Sequence, residues 1–135
     1  MKRAGGGFDA SYNAQTAVDE EARIIVAAEL GNNATDVGQL VPMLAAVKAN
    51  TVQMPAQTLA DAGYRSGENF KSLAGSGTEL VVAMVREGKH CAEVDAQKNP
   101  HTAAMAAKLQ TDASKAAYRK RKWIDCASCA TSRNR

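Results

Sequence analysis

The sequence predicts an α/β fold: a mixed sheet, a hairpin plus parallel strands, flanked by helices. Three observations carry this expectation. Residues 11–19 (SYNAQTAVD) and 22–30 (ARIIVAAEL) are strand-like runs separated only by a polar turn, the pattern of a β-hairpin. Beyond them, short apolar runs alternate with helical patterns, as in a sheet built from crossover units. Finally, the run TLADAGYRS at residues 58–66 leads an apolar strand straight into an aspartate and a tight turn. That places Asp61 at the C-terminal rim of the sheet, where open α/β sheets bind ligands and metals.

The elements follow in order. Residues 4–7 (AGGG) are a flexible lead-in. Asp19, Glu20 and Glu21 form a solvated hairpin turn, and Gly31-Asn32-Asn33 stops the second strand. A helix then runs to about Ala49, with Val37, Leu40, Val41, Leu44 and Val47 on one stripe. Thr35 or Asp36 is its expected N-cap. Pro42 falls inside the stripe; it is tolerated in a first turn but costs about 3 kcal/mol deeper in a helix. The helix is therefore expected to start irregularly or to be capped nearer Gln39. Residues 57–60 form a short strand, and Ser66 caps a helix ending near Ala74-Gly75. Residues 80–85 (LVVAMV) are apolar throughout, which predicts an interior strand. Residues 86–99 read as a polar loop, and Pro100 starts a final alanine-rich helix to about Lys120.

At 135 residues the chain is one domain at most. Its formal charge of +3 is unevenly spread: residues 108–135 hold eight basic and two acidic side chains, residues 1–107 nine basic and twelve acidic. The C-terminal end is a basic tail on a mildly acidic body. Alanine inflates the 45% hydrophobic content; Leu, Ile, Val and Phe together number only 22, below the roughly 20% at which a stable core becomes doubtful. Three cysteines make no disulfide scaffold. No apolar run approaches the ~20 residues that span a bilayer, and Met1-Lys2-Arg3 is not followed by the apolar stretch of a secretory signal. The expected location is the cytoplasm.

Three runs carry a resemblance that covers about residues 8–124. Residues 11–30 (SYNAQTAVDEEARIIVAAEL) are similar to a Tyr-Asn-x-Gln-x-Ala-Val-Asp hairpin, and residues 32–44 (NNATDVGQLVPML) to an Asp-x-x-x-Leu-x-Pro-Met-Leu helix. Residues 59–70 (LADAGYRSGENF) are similar to a segment bearing a catalytic Asp, and residues 108–124 (KLQTDASKAAYRKRKWI) more weakly to one leading to a catalytic Glu. In this order the runs resemble the catalytic domain of insertion-sequence transposases, with a ribonuclease H-like fold and an Asp-Asp-Glu triad. The resemblance implies metal-dependent DNA strand cleavage and transfer in transposition, with carboxylates holding paired Mg²⁺ or Mn²⁺ ions. It implies that Asp61 is the second catalytic carboxylate and a metal ligand. It places Asp125, four residues after Arg121, near the position of the Glu.

The departures from the family pattern carry expectations of their own. A first catalytic Asp would lie on a strand before the hairpin, where this chain has about ten residues and only Asp9. The first, central strand of a ribonuclease H-like sheet is therefore expected to be missing, leaving two halves with unpaired edges and a partial domain over residues 8–124. Beyond Asp125 the family continues with Pro, Phe, Gly and a Lys on a helix; residues 125–135 (DCASCATSRNR) hold none of these and read as a divergent tail left by a reading-frame shift or a truncation. The chain is expected to be a truncated transposase, inactive by itself. Lys115, Arg119, Lys120, Arg121 and Lys122 form a basic cluster expected to contact DNA phosphates without reading bases. DNA is the expected partner, with full-length transposase as a second. One alternative is a residual DNA-binding or dominant-negative fragment. Another is a zinc module on His90, Cys91, Cys126 and Cys129, for which the spacing is irregular.

Overall fold

The structure is a computed structural model that describes residues 12–85, 89 and 94–121, and the backbone of 129–132. The elements are β1 (Asn13–Asp19), β2 (Ile25–Gly31), α1 (Leu40–Thr51), β3 (Gln57–Ala60), α2 (Gly67–Leu73), β4 (Glu79–Val82), α3 (Pro100–Lys108), α4 (Asp112–Lys120) and β5 (Cys129–Ser132). Short 3-10 turns precede α1 at Val37–Gln39 and follow β3 at Ala62–Tyr64. This is the expected mixed α/β arrangement, compatible with a partial ribonuclease H-like fold. No helix among the described residues is long and apolar enough to cross a membrane.

The strands form one sheet in the order β2-β1-β5-β3-β4. β1 and β2 are the predicted antiparallel hairpin, with a bulge between Ala17 and Val18. β3 and β4 are parallel, as the intervening α2 requires. Among the described residues no strand precedes β1, yet the two halves of the sheet are joined. β5 lies between them, parallel to β1 and antiparallel to β3. The expected pair of open edges is thus closed from the C-terminal side.

Several local expectations need correction. The strand at residues 80–85 is shorter, ending at Val82, and β4 is an edge of the sheet, not an interior strand. Its unbroken apolarity has another cause: Leu80 and Val82 pack on one face while Val81 packs on the other. Both faces are covered even though one ladder side has no partner among the described strands. The final helix is two helices. The Thr111 hydroxyl donates to Lys108 O at 2.8 Å, at the end of α3, and accepts from Ser114 N at 3.3 Å, at the start of α4. One side chain serves both helix ends, so the alanine-rich pattern breaks there. Asp19 is not in a solvated turn. It is 1% exposed and accepts from Ala22 N at 2.8 Å.

Other local readings hold. Gln39 is the N-cap position of α1, so Pro42 falls in the first turn, where backbone N–H groups have no helical partner. Ser66 caps α2, its hydroxyl accepting from Glu68 N at 3.2 Å.

The core has two unequal sides. On one face of the sheet, Leu40, Leu44, Tyr64, Phe70, Leu73 and Met105 close over Ala60, Leu80 and Val82, while Met43 and Val47 close over Ala17 and Ala27. On the other face, Val18, Leu59 and Val81 meet Ala117 as their one buried partner among the described residues, with Leu109 and Tyr118 partly covering them. α4 therefore roofs the second face with Ala117 and the partly buried ring of Tyr118.

Glu79 ties α3 to the strand pair. Its carboxylate accepts from Gln57 Nε2 at 2.8 Å and pairs with Lys108 Nζ at 3.2 Å. The Gln57 hydrogen bond, then Lys108, holds its carboxyl below the ordinary value of 4.5. A carboxyl lowered on folding stabilises the fold above its unfolded value and loses that contribution as pH falls through the folded one. Glu79→Gln is therefore expected to melt lower than the parent at neutral pH, with the difference shrinking below about pH 4.5. Thermal melts across the acid range would check this.

Candidate functional site

Asp61 follows the last residue of β3 and caps the Ala62–Tyr64 turn. Its Oδ1 accepts from Gly63 N at 2.8 Å. Its Oδ2 lies 3.3 Å from Arg121 Nη2, at the end of α4, and the two side chains are 40% and 24% exposed. Arg121 also donates to the Tyr118 hydroxyl at 3.1 Å and lies over that ring, 5.7 Å from its centre. A guanidinium is thus seated on the rim carboxylate.

A polar network stands behind this rim. Asp36 Oδ1 accepts from Asn13 Nδ2 and from Gln15 Nε2, each at 2.7 Å. Gln15 Nε2 also donates to Asn13 Oδ1 at 2.9 Å, and the buried Tyr64 hydroxyl donates to Gln15 Oε1. Asn69 Nδ2 donates to Val37 O at 2.6 Å and to Tyr64 O at 3.0 Å. Gly63 sits where the two carboxylates converge: a Cβ there would lie 2.7 Å from Asp36 Oδ2 and 2.9 Å from Asp61 Oδ1.

Asp36 therefore corrects a further expectation. It occupies the N-cap position of the Val37–Gln39 turn, but its side chain makes no capping hydrogen bond. The carboxylate turns instead to the amides of β1. Asn13, Gln15 and Tyr64 were not singled out as site residues. One signal was available: Asn13 and Gln15 stand two apart on a strand, so they share a face, and amides turned inward need acceptors.

The three sequence runs thus meet at one place. Asn13 and Gln15 come from the first, Asp36 and Val37 from the second, and Asp61, Gly63, Tyr64 and Asn69 from the third. Residues 2–124 match the family model described as Transposase DDE domain, most of the chain's length. The chain belongs to the transposase DDE domain family. No curated protein and no solved structure matches it.

The basic cluster of the transposase domain is divided by its own acidic residues. Lys120 Nζ pairs with Glu20 Oε1 at 3.0 Å, and Arg121 pairs with Asp61. Lys115 and Arg119 are exposed, one helical turn apart on α4, and make no ion pair among the described residues. Both border a cavity of about 380 Å³ walled by Met84, Leu109 and Tyr118. Lys122 and Asp125 lie outside the described residues, as do Asp9, His90, Cys91 and Cys126; of Cys129 only the backbone is described.

Domains of this family use divalent metal ions, which implies a carboxylate-rich centre. The residues described here do not fit one. Asp61 commits one oxygen to the Gly63 N–H and the other to Arg121. Asp36 is a neighbouring carboxylate across Gly63, and its Oδ1 already accepts two amides. Among the described residues no three His, Cys, Asp or Glu side chains gather as a metal site. A paired-metal centre needs carboxylate oxygens free to reach both ions, so no step through metal is derived from this arrangement.

Proposed function

We propose that this transposase domain binds DNA through α4 and does not by itself cut it. The observation that carries the reading is the Arg121–Asp61 pair: the one carboxylate of the rim that matches the family's catalytic segment is met by a cation from the chain itself. Strand transfer, the reaction the family match implies, needs that carboxylate free to share metal with a scissile phosphate. What remains for DNA is positive charge, with Lys115 and Arg119 unpaired among the described residues and Lys122 adjacent in sequence.

Such contacts bind phosphates without reading bases. Neutralising two or three phosphates gives a log affinity against log salt slope of about −2 to −3 on duplex DNA. Electrophoretic or anisotropy titrations at several salt concentrations should return that slope. Lys115→Ala with Arg119→Ala should lower its magnitude by about 2. A nicking assay on supercoiled DNA, with Mg²⁺ and then Mn²⁺, should show no cleavage by the parent chain. Cleavage that disappears in Asp61→Ala would overturn the reading.

A further inference from the structure

We propose that the face of the β1–β2 hairpin turned away from α1 is an interface, and that the partner it fits is the same face of a second copy of this chain.

Strand alternation sorts the hairpin into two faces. Ala17 and Ala27, direct partners across the hairpin, lie under Met43 and Val47 of α1. Gln15 and its partner Glu29 share that side, so the single charged residue of β2 stands on it. The opposite face carries Ala14 and Thr16 from β1 and Ala28 and Leu30 from β2, paired Ala14 with Leu30 and Thr16 with Ala28. The bulge brings Ile25 opposite Val18 and so keeps Ile25 on this face. Tyr12, just ahead of β1, continues the alternation. Tyr12 is 78% exposed, Leu30 72% and Ile25 62%, and Ala14 and Ala28 are exposed as well. None of these six positions is charged. A contiguous exposed apolar patch without charge marks an interaction surface.

The patch is bare because of where α4 sits. Ala117 and Tyr118 cover Val18, Leu59 and Val81, so among the described residues this cover reaches the hairpin only at Val18. Beyond Val18 the sheet forms a step one layer below α4. A helix with its side chains is about 10–12 Å across, and sheets packed face to face stand about 10 Å apart. A second hairpin therefore fits the layer beside α4. With a twofold axis through the step, each copy fills the step of the other.

The chemistry of the face selects that partner. It offers no cation, so it has nothing to hold a nucleic-acid phosphate. A twofold axis sets a patch against itself, and any charge on it would meet its own sign; this patch carries none. The exposed parts of Tyr12, Ile25, Leu30 and the two alanines amount to roughly 450 Å² of apolar surface. A standard interface buries about 800 Å² per partner, a little over half of it apolar, so the area matches what a stable dimer needs. The rest of the chain is a poorer cover: residues 1–11, 86–93 and 122–135 hold no more than two large apolar side chains each, with Lys2, Arg3 and Asp9 or Lys122 and Asp125 near them.

Sedimentation of the full chain from micromolar to millimolar concentration tests this. A dimer that forms as concentration rises is expected. Leu30→Lys sets two ammonium groups against the apolar face of the partner copy, and should raise the dimer dissociation constant about a hundredfold or more. Val52→Lys is the control, since Val52 is an exposed apolar residue at the end of α1; it should leave the constant unchanged. Should Leu30→Lys fail to fold, Ala28→Lys carries the same test from a small exposed side chain. A strict monomer at millimolar concentration overturns the proposal, as does assembly beyond the dimer. A dimer that withstands a folded lysine variant of this face, or that weakens equally with Val52→Lys, overturns it too.

Discussion

Replacing Asp36 by alanine is expected to destabilise the transposase domain by about 3 kcal/mol, the largest single loss among polar substitutions at this site. The estimate comes from the two amides the carboxylate holds, Asn13 Nδ2 and Gln15 Nε2, each at 2.7 Å. Hydrogen bonds to a charged acceptor contribute about 1.5–3 kcal/mol each. The full sum is not lost, because both donors keep a second acceptor. Gln15 Nε2 retains Asn13 Oδ1 at 2.9 Å, and Asn13 Nδ2 retains the longer contact to Asn33 O at 3.3 Å. Gln15 is 2% exposed, so its amide depends on partners within the protein. Asp36→Asn keeps an oxygen for the amides and should lose only about 1 kcal/mol, the worth of a neutral bond against a charged one. Urea unfolding of the three proteins would measure this; equal slopes with shifted midpoints would show that native stability alone has changed. A loss for Asp36→Ala under 1 kcal/mol would mean that the amides find other partners.

The same network shows how far sequence reasoning reached. Periodicity located the hairpin, α1, β3 and the Ser66 cap, because each is a local signal: alternation, an apolar stripe, or a hydroxyl before a helix. Pro42 was read correctly for the same reason, since its cost depends only on position within the helix. Asp36 differs from the expectation because a capping residue and a half-buried acceptor of side-chain amides have the same local sequence. What separates them is Gln15, 21 positions away in the chain. Asp19 failed likewise: three acids in a row resemble a solvated turn, and its burial follows from packing of β1. β5 was illegible for a further reason. Cys-Ala-Thr-Ser has no strand pattern of its own, and its place in the sheet is set by the gap it fills. Asp61 was placed at the rim by its strand and turn. Its pairing with Arg121 is not legible in the sequence, since 60 residues separate the two.

Gly63→Ala is the second large effect, an expected loss of about 2 kcal/mol, within the 1–3 kcal/mol typical of overpacking. The new methyl carbon would stand 2.7 Å from Asp36 Oδ2 and 2.9 Å from Asp61 Oδ1, so a carboxylate must move. Which one moves follows from how each is held. Asp36 has two short amide bonds. Asp61 has the Gly63 N–H and a 3.3 Å ion pair that is partly exposed, and partly exposed pairs of this kind contribute about 1 kcal/mol or less. Asp61 is therefore the side chain that yields, and its contact with Arg121 breaks. A double-mutant cycle reads that displacement. If Gly63→Ala already separates the pair, adding Arg121→Ala should cost less than it does in the parent, and the two changes should fall short of additivity. Gly38→Ala is the control: no atom lies within 4 Å of its added carbon, so its effect should stay within about 0.5 kcal/mol. Full additivity of Gly63→Ala and Arg121→Ala would mean that Asp36 gives way instead, and the amides of β1 would then show the loss as exchange-exposed side-chain resonances.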